Sequence, residues 1–129
     1  MNANELKERT RRFGIDVARS IESQRMTPFV VNARNQVIRS ATSVGANYHE
    51  ACRARSKKEF ISKVDLVLQE LEETRYWLRM LLDYGCTDLE PIHGLVVETS
   101  ELIAIMTASS RTAKRFYKRT LKGDLAFSI

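Results

Sequence analysis

Proline and glycine are scarce in this chain, two and five among 129 residues, which suits a helical protein because both destabilise a helix interior. No segment before the last few residues alternates with the two-residue period of a strand. No apolar run approaches the roughly 20 residues a membrane-spanning helix needs. The first residues, MNANELKERTRRFG, contain no apolar signal segment, so a cytoplasmic protein without a membrane partner is expected. Cysteine is limited to Cys52 and Cys86, too few for a disulfide framework. The helix expected between them spans about 45 Å at 1.5 Å per residue. That places the two at opposite ends of the fold, beyond disulfide reach, and both are expected to be free thiols.

The motifs that carry catalysis are also missing. The chain has no phosphate loop, no dinucleotide fingerprint, no nucleophile elbow and no Cys/His spacing of the metal-binding kind. A carboxylate-bridged metal pair in a helical bundle would need two copies of E-x-x-H. Only Glu90-Pro91-Ile92-His93 fits, at a helix start and without a second copy. Glu50, Glu70 and Glu73 are the remaining carboxylate candidates, and Glu70 and Glu73 share one helix face. Acid–base work would require a cleft, which the short connections do not build. These residues are expected in a polar network between helices, with Lys63, Arg39 or Asn47. No catalytic residue, metal ligand or cofactor site is expected, and the chain does not read as an enzyme.

What is present is a set of four amphipathic segments. The length suits one domain able to bury its own core, and 43% hydrophobic with 29% charged residues is ordinary for a globular protein. The first helix is predicted from about Asn4 to Gln24, with Leu6, Thr10, Phe13, Val17 and Ile21 on one stripe. Thr27-Pro28 marks a restart, Thr as cap and Pro in the first turn. The second helix carries Val30, Val37, Ala41, Val44, Tyr48 and Ala51, flanked by Val31, Ile38, Gly45 and Cys52. Gly45 in mid-helix costs about 1 kcal/mol relative to alanine, so another helix is expected to approach closely there.

Ser56-Lys57-Lys58-Glu59 reads as a capping box before a third seam of Phe60, Val64, Val67, Leu71, Leu78 and Leu81. Tyr84-Gly85 closes that helix. Asp88 is expected to cap a fourth helix, whose seam is Ile92, Leu95, Thr99, Leu102, Met106, Ser109, Ala113 and Phe116. Short connections make successive helices antiparallel. The fold class is therefore all-α, an up-down-up-down four-helix bundle over residues 1–122, with 123–129 as a carboxy-terminal tail. The alternating Leu125-Ala126-Phe127-Ser128-Ile129 segment of that tail is expected either to fray or to dock as an extended segment on a neighbouring subunit or another protein. Tyr76, Trp77, Tyr84, Val97 and Ile105 fall off the strictest seams, and an outer apolar face that joins copies of the chain is expected.

In such a bundle the basic clusters converge at one pole: Lys7, Arg9, Arg11 and Arg12; Arg53, Arg55, Lys57 and Lys58; Arg111, Lys114, Arg115, Lys118, Arg119 and Lys122. That pole would hold 14 of the 21 basic residues against five acidic ones, a net of +9, which leaves −4 for the rest of a chain of net charge +5. Part of this charge merely suits the negative ends of helix dipoles. Lys57, Lys58 and the residues from Lys7 to Arg12 open helices, where positive charge opposes the dipole. Phe116 and Tyr117 lie among the cations and offer faces for unpaired bases. The candidate nucleic-acid-binding residues are Arg11, Arg12, Arg53, Arg55, Lys57, Lys58, Arg111, Lys114, Arg115, Lys118 and Arg119, and the expected partner is RNA or DNA.

The stretch from Arg39 to Ala51 (RSATSVGANYHEA), then Ser56 to Ile61 (SKKEFI) and Glu70 to Leu78 (ELEETRYWL), resembles the four-helix-bundle proteins encoded in intervening sequences of 23S ribosomal RNA. These are related to the accessory variability determinant of diversity-generating retroelements. The resemblance covers roughly residues 10–115. It implies bundles that assemble into a ring-like homopentamer. For the retroelement branch it implies nucleic-acid binding through basic surfaces alongside a reverse transcriptase. Asn47, Glu50, Ser56, Glu59, Phe60, Glu70, Glu73 and Thr74 match the family pattern, which implies a fold-and-interface signature without a catalytic role. The basic clusters match no established motif of the family. The expected function is non-enzymatic, homo-oligomeric nucleic-acid binding, accessory to a reverse transcriptase or structured RNA. The alternative is a protein-interaction scaffold whose basic pole meets an acidic protein.

Overall fold

In the computed structural model the described residues are 1–86 and 88–121, and they form four helices: α1 (Ala3–Glu22), α2 (Pro28–Cys52), α3 (Lys57–Tyr84) and α4 (Glu90–Leu121). Lys122 and the 123–129 tail lie outside the described residues. The first three starts have a local cause. Asn2 and Glu5 exchange bonds, Asn2 Oδ1 accepting from the Glu5 N–H at 2.8 Å and Glu5 Oε1 from the Asn2 N–H at 3.0 Å, a complete capping box on α1. Thr27 Oγ1 accepts from the Val30 N–H, and Pro28 follows in the first turn of α2. Ser56 Oγ accepts from the Glu59 N–H at 3.0 Å. The return bond from Glu59 lands one residue earlier than a capping box requires, on the Arg55 N–H at 2.6 Å. Gly85 ends α3 with φ of +85°, a left-handed conformation open to glycine at no steric cost.

Asp88 does not cap α4. The helix begins at Glu90, and the first carbonyl to accept a helical bond is that of Leu89, from His93 N–H at 3.0 Å. Asp88 is instead held through its backbone by the buried amide of Gln24, which donates to the Asp88 carbonyl at 2.7 Å and accepts from its N–H at 2.8 Å. This clasp ties the end of α1 to the start of α4.

Successive helices pack on one another, and α1 and α4 touch only slightly. Along the α2–α3 seam the contacting residues of α3 fall in number as those of α2 rise. Phe29 stacks on Tyr84 at 4.4 Å, Arg39 reaches Glu73 at 2.6 Å, and Lys63 reaches Glu50 at 2.6 Å. Inside the α2–α3 seam the buried hydroxyls of Ser40 and Thr74 meet at 2.8 Å. The expected polar network thus exists between Arg39, Glu70 and Glu73 and between Lys63 and Glu50; Asn47 takes no part in it. The apolar seams read from the sequence are the core, with Phe13, Val17, Ile21, Val37, Leu71, Leu78, Ile92 and Leu102 all at 1% exposure or less.

The seam of α4 departs from expectation after Met106. Ser110, not Ser109, is buried, and Phe116 is 50% exposed while Tyr117 turns partly inward. A strict seven-residue repeat drifts by about 20° per heptad on a straight helix. Over the length from Ile92 to Phe116 that drift moves the buried line by about one residue, and Ser110 and Ala113 continue it.

Two glycines let α1 and α2 approach. A Cβ on Gly45 would lie 3.2 Å from the Thr10 carbonyl oxygen and 3.3 Å from the Arg11 Cα; one on Gly14 would lie 3.2 Å from the Ala41 carbonyl oxygen and the Thr42 Cα. Both obstacles are backbone, so neither can rotate aside. Gly45→Val is therefore expected to push α1 off α2 and cost about 1–3 kcal/mol as an overpacking substitution. The readout is the urea midpoint with an unchanged m-value. A variant as stable as the parent would rule out this close seating.

Candidate nucleic-acid interface

The connection between α2 and α3 is short, so the last turn of α2 and the first of α3 lie side by side. Ala3 of α1, Cys52 of α2, Arg55, and Lys57 and Phe60 of α3 line one hollow; Lys57 and Phe60 also line a second with Ala108, Thr112 and Phe116 of α4. All four helices therefore contribute to the surroundings of Lys57 and Phe60. The exposed cations of this end come from these elements.

The eleven sequence-predicted site residues fall into two groups. Arg11 and Lys114 are already paired. Arg11 holds Glu8 through two bonds of 2.7 and 3.0 Å, which keeps the Glu8 carboxyl below its ordinary range, and Lys114 lies 3.3 Å from Asp65. Arg12, Arg53, Arg55, Lys57, Lys58, Arg111, Arg115, Lys118 and Arg119 are exposed and form no ion pair among the described residues. On α4 the buried side chains of Met106, Ser110 and Ala113 fix the rotation. At 3.6 residues per turn, Arg111, Arg115 and Lys118 then project from the opposite side, away from the core.

Arg9 plays a different part from the one its cluster suggested. It is half-buried, and its guanidinium takes both oxygens of Glu98 at 2.7 Å and Glu101 at 2.8 Å, bridging the slight α1–α4 contact. These charge-assisted bonds raise its pKa further. Lys57 also has a structural explanation: its ammonium lies 5.1 Å from the centre of the Phe116 ring and 6.0 Å from that of Phe60. Such cation–π contacts are worth about 0.5–1 kcal/mol at exposed sites, comparable to the cost of a cation at a helix start. Nothing in the sequence signals the Arg9 bridge or the Lys57–Phe116 contact, because Glu98, Glu101 and Phe116 lie on a helix remote in the chain; Phe60, three residues on from Lys57, is a local partner.

Among the described residues no group of three or more His, Cys, Asp and Glu is placed to hold a metal. No described helix is long and apolar enough to cross a membrane. Of the residues expected on an outer apolar face, Tyr76 and Val97 are 57% and 58% exposed, Trp77 and Ile105 are half-buried, and Tyr84 is engaged by Phe29 and Thr27.

Most residues of the family signature have a common task. Ser56 and Glu59 start α3, while Glu50, Glu70, Glu73 and Thr74 make the polar contacts that fasten α2 to α3. The chain resembles in fold and sequence a crystallised protein of unknown function from the S23 ribosomal protein family of Bacteroides thetaiotaomicron VPI-5482. The two are 28% identical with a TM-score of 0.68, over 81% of this chain and 96% of the other. No match is found among curated proteins. The family of 23S rRNA-intervening sequence proteins matches residues 4–108, most of the chain, and this protein belongs to it.

Proposed function

We propose that this chain is a non-enzymatic nucleic-acid-binding protein that acts as a homo-oligomer and serves structured RNA or a reverse transcriptase as an accessory. The observation that carries the reading is the set of nine exposed cations that form no ion pair among the described residues, on elements that surround Lys57 and Phe60. Single surface cations are common, but so many exposed ones outside the described ion pairs favour a polyanion. The family's connection to 23S ribosomal RNA agrees with RNA as that polyanion.

The opposed numbering of paired helices supports an antiparallel up-down-up-down bundle. Exposed Tyr76, Val97 and Leu66 supply apolar surface for contact between copies, and the ring of five rests on the resemblance described above. Repeated around a ring, the basic ends would form one rim able to take many phosphates at once.

The test is fluorescence anisotropy of a labelled structured RNA, titrated with the protein at about 50 and about 200 mM salt. A protein that contacts many phosphates loses about 10³–10⁵ in affinity between these conditions. Tight binding with that loss is expected. No binding at the lower salt would overturn the proposal and leave the charged end to an acidic protein partner.

A further inference from the structure

Resting on the nucleic-acid reading, we infer that Phe116 is a stacking platform for a base of an unpaired RNA strand, with Lys57 beside it for the strand's phosphate. Phe116 is half exposed on α4, although Ser110 and Ala113 already fill the buried line of that helix. The ring therefore adds little to the core of its own chain. It is nevertheless held in place, with the Lys57 ammonium 5.1 Å from its centre.

The wall beside the ring is built from Ala108, Ser109 and Thr112, small side chains that leave room for a flat group. Arg119, one turn further along α4, is exposed on the same flank and forms no ion pair among the described residues. A half-exposed aromatic ring with a lysine ammonium over it, a space beside it and Arg119 on the same flank suit an unpaired nucleotide: stacking for the base, charge for the phosphate. Bases within a duplex are stacked on one another and present no free face. The inferred site therefore favours unpaired over paired RNA.

The experiment compares a short labelled RNA strand lacking self-complementarity with the blunt duplex of the same strand, at about 50 mM salt. Phe116→Leu keeps apolar bulk and removes the π face. It is expected to weaken strand binding by about 5- to 100-fold, in line with the loss of one stacked base, and to leave duplex binding about unchanged. Phe116→Trp should retain strand binding, and Lys57→Gln should weaken it with the ring still present. Parent-like strand binding by Phe116→Leu, or equal losses for strand and duplex, would overturn the platform while leaving the basic surface in place. Failure of the parent protein to bind either RNA would remove the nucleic-acid reading itself. Thermal midpoints measured alongside separate a binding loss from unfolding.

Discussion

Replacing Arg115, Lys118 and Arg119 together with glutamate is expected to abolish tight RNA binding while helicity and particle size stay as in the parent. All three side chains are exposed, and none forms an ion pair among the described residues, so no described ion pair is lost with them. At about 1 kcal/mol per charged contact the triple change weakens binding by about 100-fold or more. The slope of log affinity against log salt should flatten by about 2–3, since each phosphate contact contributes about 0.7–0.9. Glutamate at the end of a helix opposes the dipole at a cost of about 0.3–1 kcal/mol each, and the last turn of α4 will fray somewhat. The glutamine versions of the same positions lack that penalty and should show the same loss in milder form. Undiminished binding by a correctly assembled variant would remove this cluster from the interface.

The second large effect concerns stability. Phe13→Ala removes a side chain that is 1% exposed from an outer helix, since α1 leans on α2 and barely touches α4. Large-to-small changes of this kind cost about 3–5 kcal/mol, a transfer contribution plus the cavity left behind. With an unfolding entropy of about 2.1 cal/mol/K per residue, the melting temperature should fall by about 10–20 °C. Val31→Ala, at a position 36% exposed, should stay within about 0.5 kcal/mol. Equal melting temperatures for Phe13→Ala and the parent would mean that α1 does not contribute to the cooperative unit.

The helices were legible because each carries its own evidence. Thr27-Pro28, Ser56 with Glu59, and Gly85 act within a few residues, and the structure uses all of them at helix ends. Where reading failed, the cause was distance or accumulated geometry. The slip from Ser109 to Ser110 reflects a drift too small to see in one heptad and decisive after three. Asp88 has the right chemistry for a cap, but the Gln24 side chain, from the far end of the hairpin chain, fixes its backbone elsewhere. The two arginines Arg9 and Arg12 look alike in sequence. Only the arrival of Glu98 and Glu101 makes one a bridge and leaves the other facing solvent. Gly14 shows the same limit: its partner backbone on α2 lies across the hairpin.

The order of packing, each helix against the next in the chain and little between the first and last, also bears on how the molecule is made. Contacts between sequence neighbours need only short loops to close, and low contact order goes with folding in microseconds to milliseconds. Each hairpin can form as it leaves the ribosome, before the following helix has been synthesised. Of the contacts made from α1 and its end, the Arg9 bridge and the Gln24 clasp must wait for α4. Amide protons of α1 and α4 should accordingly exchange more quickly than those of α2 and α3, through openings that leave α2 and α3 paired.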